Sequence, residues 1–338
     1  MALNNNLAII LVLLLMFFNG CTKNTNVLEL EGPYLGQNPP GMTPELFAPG
    51  ILSTGNTEWA PTFTPDGYTA FYTTGLLNQN VLVRIKFENG EWQKPELPAF
   101  ADAKHQYADP YVSPDGKRLY FWSNRSVEPS GEPRNNSDLW YVDLLGDNTY
   151  GEPVRIDEII NTTDWQVFPT VASNGNLYFS GYYADNTKGN FDVYMSELVD
   201  GKYTKPQNLG DAVNTEHIEH EPYIAPDESY IIICSDRHAP RSNRWDLYIS
   251  FRKPDGTWTN AVNMGDKINS PAMDQTAIVT SDGKYLFFSS SRMDQNSELR
   301  ENWKYRDILE ALNRPQNGNP DVYWVDAKVI EELRNEQE

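Results

Sequence analysis

Hydrophobic and polar positions along the chain follow one pattern five times over. A short apolar and aromatic run enters a tight turn and a second aromatic run leaves it. The copies are PTFTPDGYTAFYTTG from Pro61, PYVSPDGKRLYFWSNR from Pro110, PTVASNGNLYFSG from Pro169, PYIAPDESYIIICSDR from Pro222 and AIVTSDGKYLFFSSSR from Ala277. A third run follows four of them: DLWYV at Asp138, DVYMS at Asp192, DLYIS at Asp246 and DVYWV at Asp321. The first copy has NVLVRI from Asn80 instead. Alternation of β-branched and aromatic residues predicts strands, and Pro, Asp, Asn and Gly at the turns suit tight hairpins. A fourth strand fits GEWQKPEL, YGEPVRI, GKYTKPQNL and GTWTNAVNM. Such a unit, with strands A to D, cannot bury both faces alone, so the units must stack.

The expected fold is all-β, a single β-propeller of four-stranded antiparallel blades. The turns at Pro65, Pro114, Ser173, Pro226 and Ser281 lie 49, 59, 53 and 55 residues apart, which leaves no room for a hidden blade. Five blades are predicted, with six as the alternative. The last unit stops after its third strand, where DVYWVDAKVIEELRNEQE becomes helical and charged. PELFAPGILSTGNTEWAP resembles the D-to-A segment KPELPAFADAKHQYADP, so residues 44–52 are expected to complete the last blade. Closing the ring this way removes exposed sheet edges.

The chain before the repeats reads as address and tether. Ala8 to Phe18 is an unbroken apolar run too short to span a bilayer, and it ends in Asn19-Gly20-Cys21. Small residues before a cysteine resemble a bacterial lipoprotein cleavage site. That resemblance implies removal of residues 1–20, lipidation at Cys21 and residence in the cell envelope, on the periplasmic side of the outer membrane. An ordinary signal peptide with a chance cysteine is the alternative. Residues 21–43 read as tether and lead-in, 44–330 as propeller and 331–338 as a charged tail. A formal net charge of −20 argues against nucleic acid or an anionic membrane surface as partner. Membrane contact is expected through the lipid anchor only. Cys234, in the apolar run YIIICSDR, reads as an inert core thiol.

The phrase SPDGKRLYFWSNR followed by DLWYV resembles the WD-like propeller repeat of the TolB-type periplasmic proteins, over about 285 residues from Pro44 to Lys328. Such repeats also occur in propeller domains of serine peptidases and in oligogalacturonate lyases. No counterpart of the extra N-terminal domain of TolB is expected in this chain, which puts membership of the Tol system in doubt.

Topology puts the A–B turns on one face of the disc and the B–C loops and D–A links on the other. The long B–C loops, at 126–136, 181–190, 238–244 and 293–319, mark that second face as the binding surface. Three positions before the repeated phrase stand Glu58, Tyr107, Gln166, Glu219 and Asp274; one position before it stand Ala60, Asp109, Phe168, Glu221 and Thr276. Period two places both sets on one side of strand A, either at the channel mouth or between blades. Arg125, Arg237 and Arg292 follow strand B. They either grip ligand carboxylates or pair with Asp138, Asp246 and Asp321.

Four histidines exist, His105, His217, His220 and His238, and the first two occupy equivalent positions in alternate blades. His105, His217 and His220 could hold a divalent metal near the axis with Gln106 or Glu219, similar to the manganese site of oligogalacturonate lyases. Ordinary loop histidines are the alternative. Trp59, Trp165, Tyr182, Tyr183, Trp245 and Trp303 fall near the loop face, as stacking platforms or blade caps. No nucleophile elbow, phosphate loop or dinucleotide fingerprint is present, and no organic cofactor is expected. The expected function is a binding or scaffold module for an envelope protein or glycan. The alternative is a carbohydrate-active enzyme, a metal-dependent polyuronide lyase or a glycoside hydrolase, with its site at the channel mouth.

Overall fold

The computed structural model describes residues 31–128, 131–146, 148–185, 187–237, 245–294 and 301–337. They form a five-bladed β-propeller of antiparallel sheets. The chain begins with β1 (Glu45–Leu46). Blade one is β2 (Glu58–Phe63), β3 (Thr69–Leu76), β4 (Gln79–Glu88) and β5 (Glu91–Trp92). Blade two is β6 (Tyr107–Val112), β7 (Arg118–Ser123), β8 (Asp138–Gly146) and, past the short β9 (Thr149–Tyr150), β10 (Val154–Arg155). Blade three is β11 (Gln166–Val171), β12 (Leu177–Gly181), β13 (Asp192–Ser196) and, past the hairpin β14 (Leu198–Val199) and β15 (Lys202–Tyr203), β16 (Gln207–Asn208). Blade four is β17 (Glu219–Ile224), β18 (Tyr230–Ser235), β19 (Asp246–Phe251) and β20 (Val262–Asn263). Blade five has β21 (Asp274–Val279), β22 (Tyr285–Ser290) and β23 (Asp321–Asp326). Two helices follow the B and C strands of blade five: α1 (Tyr305–Leu312), within its long loop, and α2 (Lys328–Asn335).

The A–B turns repeat one device. In blades one, two and five a Thr or Ser hydroxyl and an Asp carboxylate two residues on are hydrogen-bonded, at Thr64–Asp66, Ser113–Asp115 and Thr280–Asp282. The same carboxylate accepts the backbone N–H two residues further on. Glycine then supplies the positive φ. Blade four has Glu228 at that position, at φ 58, and the substitution has a use. Its carboxylate accepts Asn176 and Tyr178 of blade three and the Arg252 guanidinium.

The last blade takes its fourth strand from the start of the propeller. β1 pairs antiparallel with β23, Glu45 opposite Trp324 and Leu46 opposite Tyr323. Phe47 packs edge-on against Phe63 of blade one and against Phe287 and Trp324 of blade five. The Ser53 hydroxyl is hydrogen-bonded to both the N–H and the carbonyl of Val322. Tyr34 and Leu35 are buried in the same cluster.

The borrowed strand lacks one group. In blades three and four the aspartate that opens the third strand accepts an Asn side chain from the fourth, Asn208 to Asp192 and Asn263 to Asp246. In blade two Arg155 serves Asp138. These donors stand opposite Tyr194, Tyr248 and Trp140; opposite the equivalent Tyr323 stands Leu46. Asp321 is fully buried, accepts the Gln316 N–H on one oxygen and has no partner on the other. Burial raises its pKa from 3.8 to about 7.

Two measurements follow. Phe47→Ala empties the aromatic latch and is expected to lower unfolding free energy by about 3–5 kcal/mol in denaturant titrations. Unfolded chain ionises Asp321 near pH 4 while folded chain keeps the proton, so this group's contribution falls as pH rises toward 7 and is then constant. Asp321→Asn should remove that decline, raising Tm at pH 8 relative to wild type more than at pH 4.

Candidate functional site

The centre of the disc is set by a β-bulge in every innermost strand. Register shifts between Trp59 and Thr62, Ala108 and Tyr111, Val167 and Thr170, His220 and Tyr223, and Gln275 and Ile278. In each bulge one non-glycine residue has left-handed backbone: Ala60, Asp109, Phe168, Glu221 and Thr276, at φ between 50 and 55. These five, one position before the phrase, line the central cavity together with the residues that follow them. The cavity holds about 20 Å³, room for roughly one water.

Turning each residue left-handed takes its N–H out of its own ladder, and in four of the five a neighbouring blade accepts it. Asp109 donates to Thr73 Oγ1, Glu221 to Ser180 Oγ, Ala60 to Thr276 Oγ1 and Thr276 to a Glu221 carboxylate oxygen. Both carboxylate oxygens of Asp109 are taken by indole N–H groups, of Trp59 and Trp122. Burial, then the nearby Glu221 charge, push the Asp109 pKa well above the ordinary carboxylate range, against the two indole donors.

The bulge also separates the two sets that simple alternation puts together. Glu58, Tyr107, Gln166, Glu219 and Asp274 are fully buried and do not line the cavity. Four of them cap the link from the preceding blade. Glu58 accepts the backbone N–H and hydroxyl of Thr54, Glu219 those of Thr215 and Asp274 those of Ser270. Gln166 accepts the Thr162 N–H and donates to its hydroxyl. In blade two the Tyr107 hydroxyl instead donates to Asp102.

Just before each capped residue sits one that the sequence reading passed over. Asn161, Asn214 and Asn269 each bind the backbone N–H and carbonyl of the third strand of the preceding blade, at Leu139, Val193 and Leu247. Ser53 does this at Val322. The pattern Asn-Thr/Ser-x-x-x-Gln/Glu/Asp recurs in INTTDWQ, VNTEHIE and INSPAMD and was there to be found.

The arginines belong to the same device, although not through the aspartates first considered as partners. Arg237 reaches Glu219 at 3.0 Å and the Val213 carbonyl; Arg292 reaches Asp274 at 2.7 Å and the Ile268 carbonyl. Each also lies over a third-strand ring, Tyr248 or Tyr323. Blade two has Tyr107 where an acid would stand, and Arg125 rests over Trp140.

The histidines do not converge. His105 Nδ1 binds Asp102 at 2.9 Å and His217 Nδ1 lies 3.5 Å from Asp236. His220 packs edge-on to Trp245 with its Nδ1 3.3 Å from Glu221 Oε1. His238 lies outside the described residues. Among the aromatics, Trp59 serves Asp109, Trp245 serves His220 and the Tyr183 hydroxyl donates to the Ile160 carbonyl. Trp165 and Tyr182 are exposed neighbours, joined by a bond from the Tyr182 N–H to the Trp165 carbonyl.

The loop face carries most of the exposed apolar surface. Leu76 and Leu77 tip the β3–β4 hairpin, Val127 and Met293 lie in the long loops, and α1 has no buried residue. Tyr305, Leu309 and Leu312 are 74, 40 and 56% exposed and form, with Ile308, one stripe at helical spacing. The end of α1 is pinned by Asn317 and Asn319, which donate to the Gly55 carbonyl. A side chain at Gly55 would meet Asn313 backbone at 2.6 Å. A larger cleft of about 320 Å³ lies on the A–B turn side, between blades one and two, beside Arg84, Lys86 and Tyr150.

Comparison with known proteins bears on fold. No family model matches the chain, and no curated protein matches it. A putative TolB from Agrobacterium tumefaciens is similar at 17% identity, covering 80% of this chain and 90% of that one, with a TM-score of 0.48. TolB from Acinetobacter baumannii matches at 13% identity over 80% of this chain and 57% of that one, TM-score 0.45. An alpha-L-arabinofuranosidase from Lactobacillus brevis matches at 13% over 80% and 95%, TM-score 0.49. The class, set by the chain's own sheet topology, is a five-bladed β-propeller, and these likenesses add nothing beyond it.

Removing one arm of the link device leaves a buried charge unpaired. Arg237→Ala is expected to cost about 3–5 kcal/mol in chemical denaturation, and Arg237→Lys, which cannot fork between Glu219 and the Val213 carbonyl, most of that.

Proposed function

We propose that this protein is an envelope lipoprotein whose propeller is a rigid stand for a protein-binding face. The observation that carries the reading is α1. Its stripe has Tyr305, Leu309 and Leu312 exposed and Ile308 half-buried, is held in place by the Gly55 contacts, and stands on the face that carries the long loops. An ordered apolar helix face without intramolecular cover is the geometry of helix-mediated recognition. Leu76, Leu77 and Met293 extend the apolar area of that face. No helix among the described residues is long and apolar enough to cross a membrane. Attachment is assigned to a lipid on Cys21, which lies outside the described residues.

A second reading, glycan binding, is favoured by the exposed Trp165–Tyr182 pair, which offers ring faces to a sugar. Catalysis at the channel has less support. The two cavity carboxylates are buried, Asp109 has both oxygens engaged, and the space between them admits little more than a water.

Cross-linking the purified protein in envelope extracts tests the reading. Leu309→Glu with Leu312→Glu should abolish capture of the protein that wild type captures, with an unchanged melting curve. Trp165→Ala with Tyr182→Ala should spare it, and selective loss with that pair would favour the glycan. Release of reducing ends from polyuronides or arabinose-containing glycans by pure protein would overturn the non-enzymatic reading. Cys21→Ser should move the protein from the membrane fraction to the soluble fraction.

A further inference from the structure

We infer that the seam between blades four and five holds a divalent transition-metal site made of His220, Glu221 and Cys234. Among the described residues, these are the group of three potential ligand residues whose donor atoms all lie within 4.8 Å of one another. Nitrogen, oxygen and sulfur donors bound to one tetrahedral Zn²⁺ stand about 3.3–3.8 Å apart. His220 Nδ1 and Glu221 Oε1, at 3.3 Å, already do so. The sulfur lies within 4.8 Å of both, and side-chain rotation would bring it in.

The propeller's own repetition says why a cysteine here is informative. In the second strands, Thr73, Trp122, Ser180, Cys234 and Ser289 occupy equivalent positions, opposite the residue before each left-handed one. Thr73 and Ser180 use their hydroxyls to accept the left-handed N–H of the next blade. Ser289 binds the Thr276 hydroxyl, which accepts the next blade's N–H in its place. Cys234 accepts none. The N–H that would fall to it, that of Thr276, goes to Glu221 instead. The thiol is thereby left beside a carboxylate, with the Asp274 carbonyl 3.6 Å from the sulfur. A sulfur where the fold asks for a hydroxyl is poor as an acceptor and good as a ligand for a borderline metal.

Two further features fit a cation. His220 Nδ1 is the nitrogen that faces Glu221 and would bind the metal, and the ring that carries it packs against Phe168 and Trp245. Glu221 and Asp109 share the cavity, and a positive ion beside Glu221 offsets the repulsion between them. Glu221 lines the cavity, which has room for a water as fourth ligand. The donor set of one thiolate, one imidazole and one carboxylate selects Zn²⁺ over Mg²⁺ or Ca²⁺. Coordination converts the thiol to thiolate and releases its proton to solvent. His105 and His217, considered as ligands on sequence grounds, take no part.

The test uses the mature chain, reduced, stripped with chelator and dialysed. Titration with Zn²⁺ alone should show one bound ion per chain and a rise in Tm. Co²⁺ in its place should give a thiolate-to-metal absorption band in the near ultraviolet. Cys234→Ser restores the hydroxyl found in three other blades, so it should fold, abolish the Co²⁺ band and weaken Zn²⁺ binding by about a hundredfold or more. His220→Gln, which keeps a polar side chain in the ring's place, should weaken it at least tenfold. No stoichiometric Zn²⁺ on wild type, or binding that survives Cys234→Ser, overturns the site. Neither result touches the loop-face reading, which does not depend on a metal.

Discussion

Five left-handed residues around one axis are the constraint on which the rest of the structure hangs. A non-glycine residue in this conformation costs about 1–2 kcal/mol, and a β-branched one such as Thr276 is more restricted still. The cost recurs because a bulge bends each inner strand where it crosses the centre and turns one N–H sideways. That N–H finds its acceptor on a neighbouring blade in four of five cases. The strain is thus tied to inter-blade bonding, and the ring is held at its narrowest point by backbone donors. The same bend sends one side chain per blade into the axis and fills it. A propeller plugged by Phe168, Glu221, Asp109 and their prolines has little space left for a substrate there.

The outer half of each blade is organised by a second device, which joins neighbouring blades through the links. A link Asn or Ser grips the third strand of the blade behind, the next Thr or Ser is capped by an acid or Gln at the start of the inner strand, and in blades four and five an Arg at the end of the second strand closes the circuit. Each element is worth about 1–3 kcal/mol, since several of the bonds are charged. Blade two lacks the Asn and the acid and substitutes Asp102 and Tyr107. Blade five has the inner half complete, at Asp274 and Arg292, but its borrowed outer strand offers Leu46 where an Asn or Arg would meet Asp321. Closure through the amino-terminal segment therefore leaves one buried carboxyl short of a donor.

Much of this was legible. Blade number, strand order, turn chemistry and the closing segment follow from periodicity, because they depend on which residues alternate and where Pro and Gly interrupt them. The site was less so, for a specific reason. The placement of Glu58, Glu219 and Asp274 beside Asp109 and Glu221 assumed unbroken period two through the start of the inner strand. One left-handed residue cancels that assumption, and neither Phe168 nor Thr276 advertises positive φ. The arginines pointed to acid partners; the acids lay eighteen residues upstream, at Glu219 and Asp274, and not downstream at Asp246 and Asp321. The link Asn was visible as a recurring pattern, but its role appears only when the preceding blade is alongside.

Repetition turns departures into information. A position that is Thr, Ser and Ser in three blades for a shared hydrogen-bonding reason makes the Trp of blade two and the Cys of blade four require separate accounts. Trp122 has one, since its indole donates to Asp109 and adds to the plug. Cys234 has a contact of 3.6 Å from its thiol to the Asp274 carbonyl, and the N–H its position would accept goes to Glu221. Simple drift to a small buried side chain would leave Glu221 free to adopt the same bond beside an alanine or a serine. It does not bring an imidazole nitrogen to within 3.3 Å of that carboxylate. The coincidence of three donors at the irregular position that neither keeps the hydroxyl nor adds to the plug is what argues for a metal seat over an accident of the repeat.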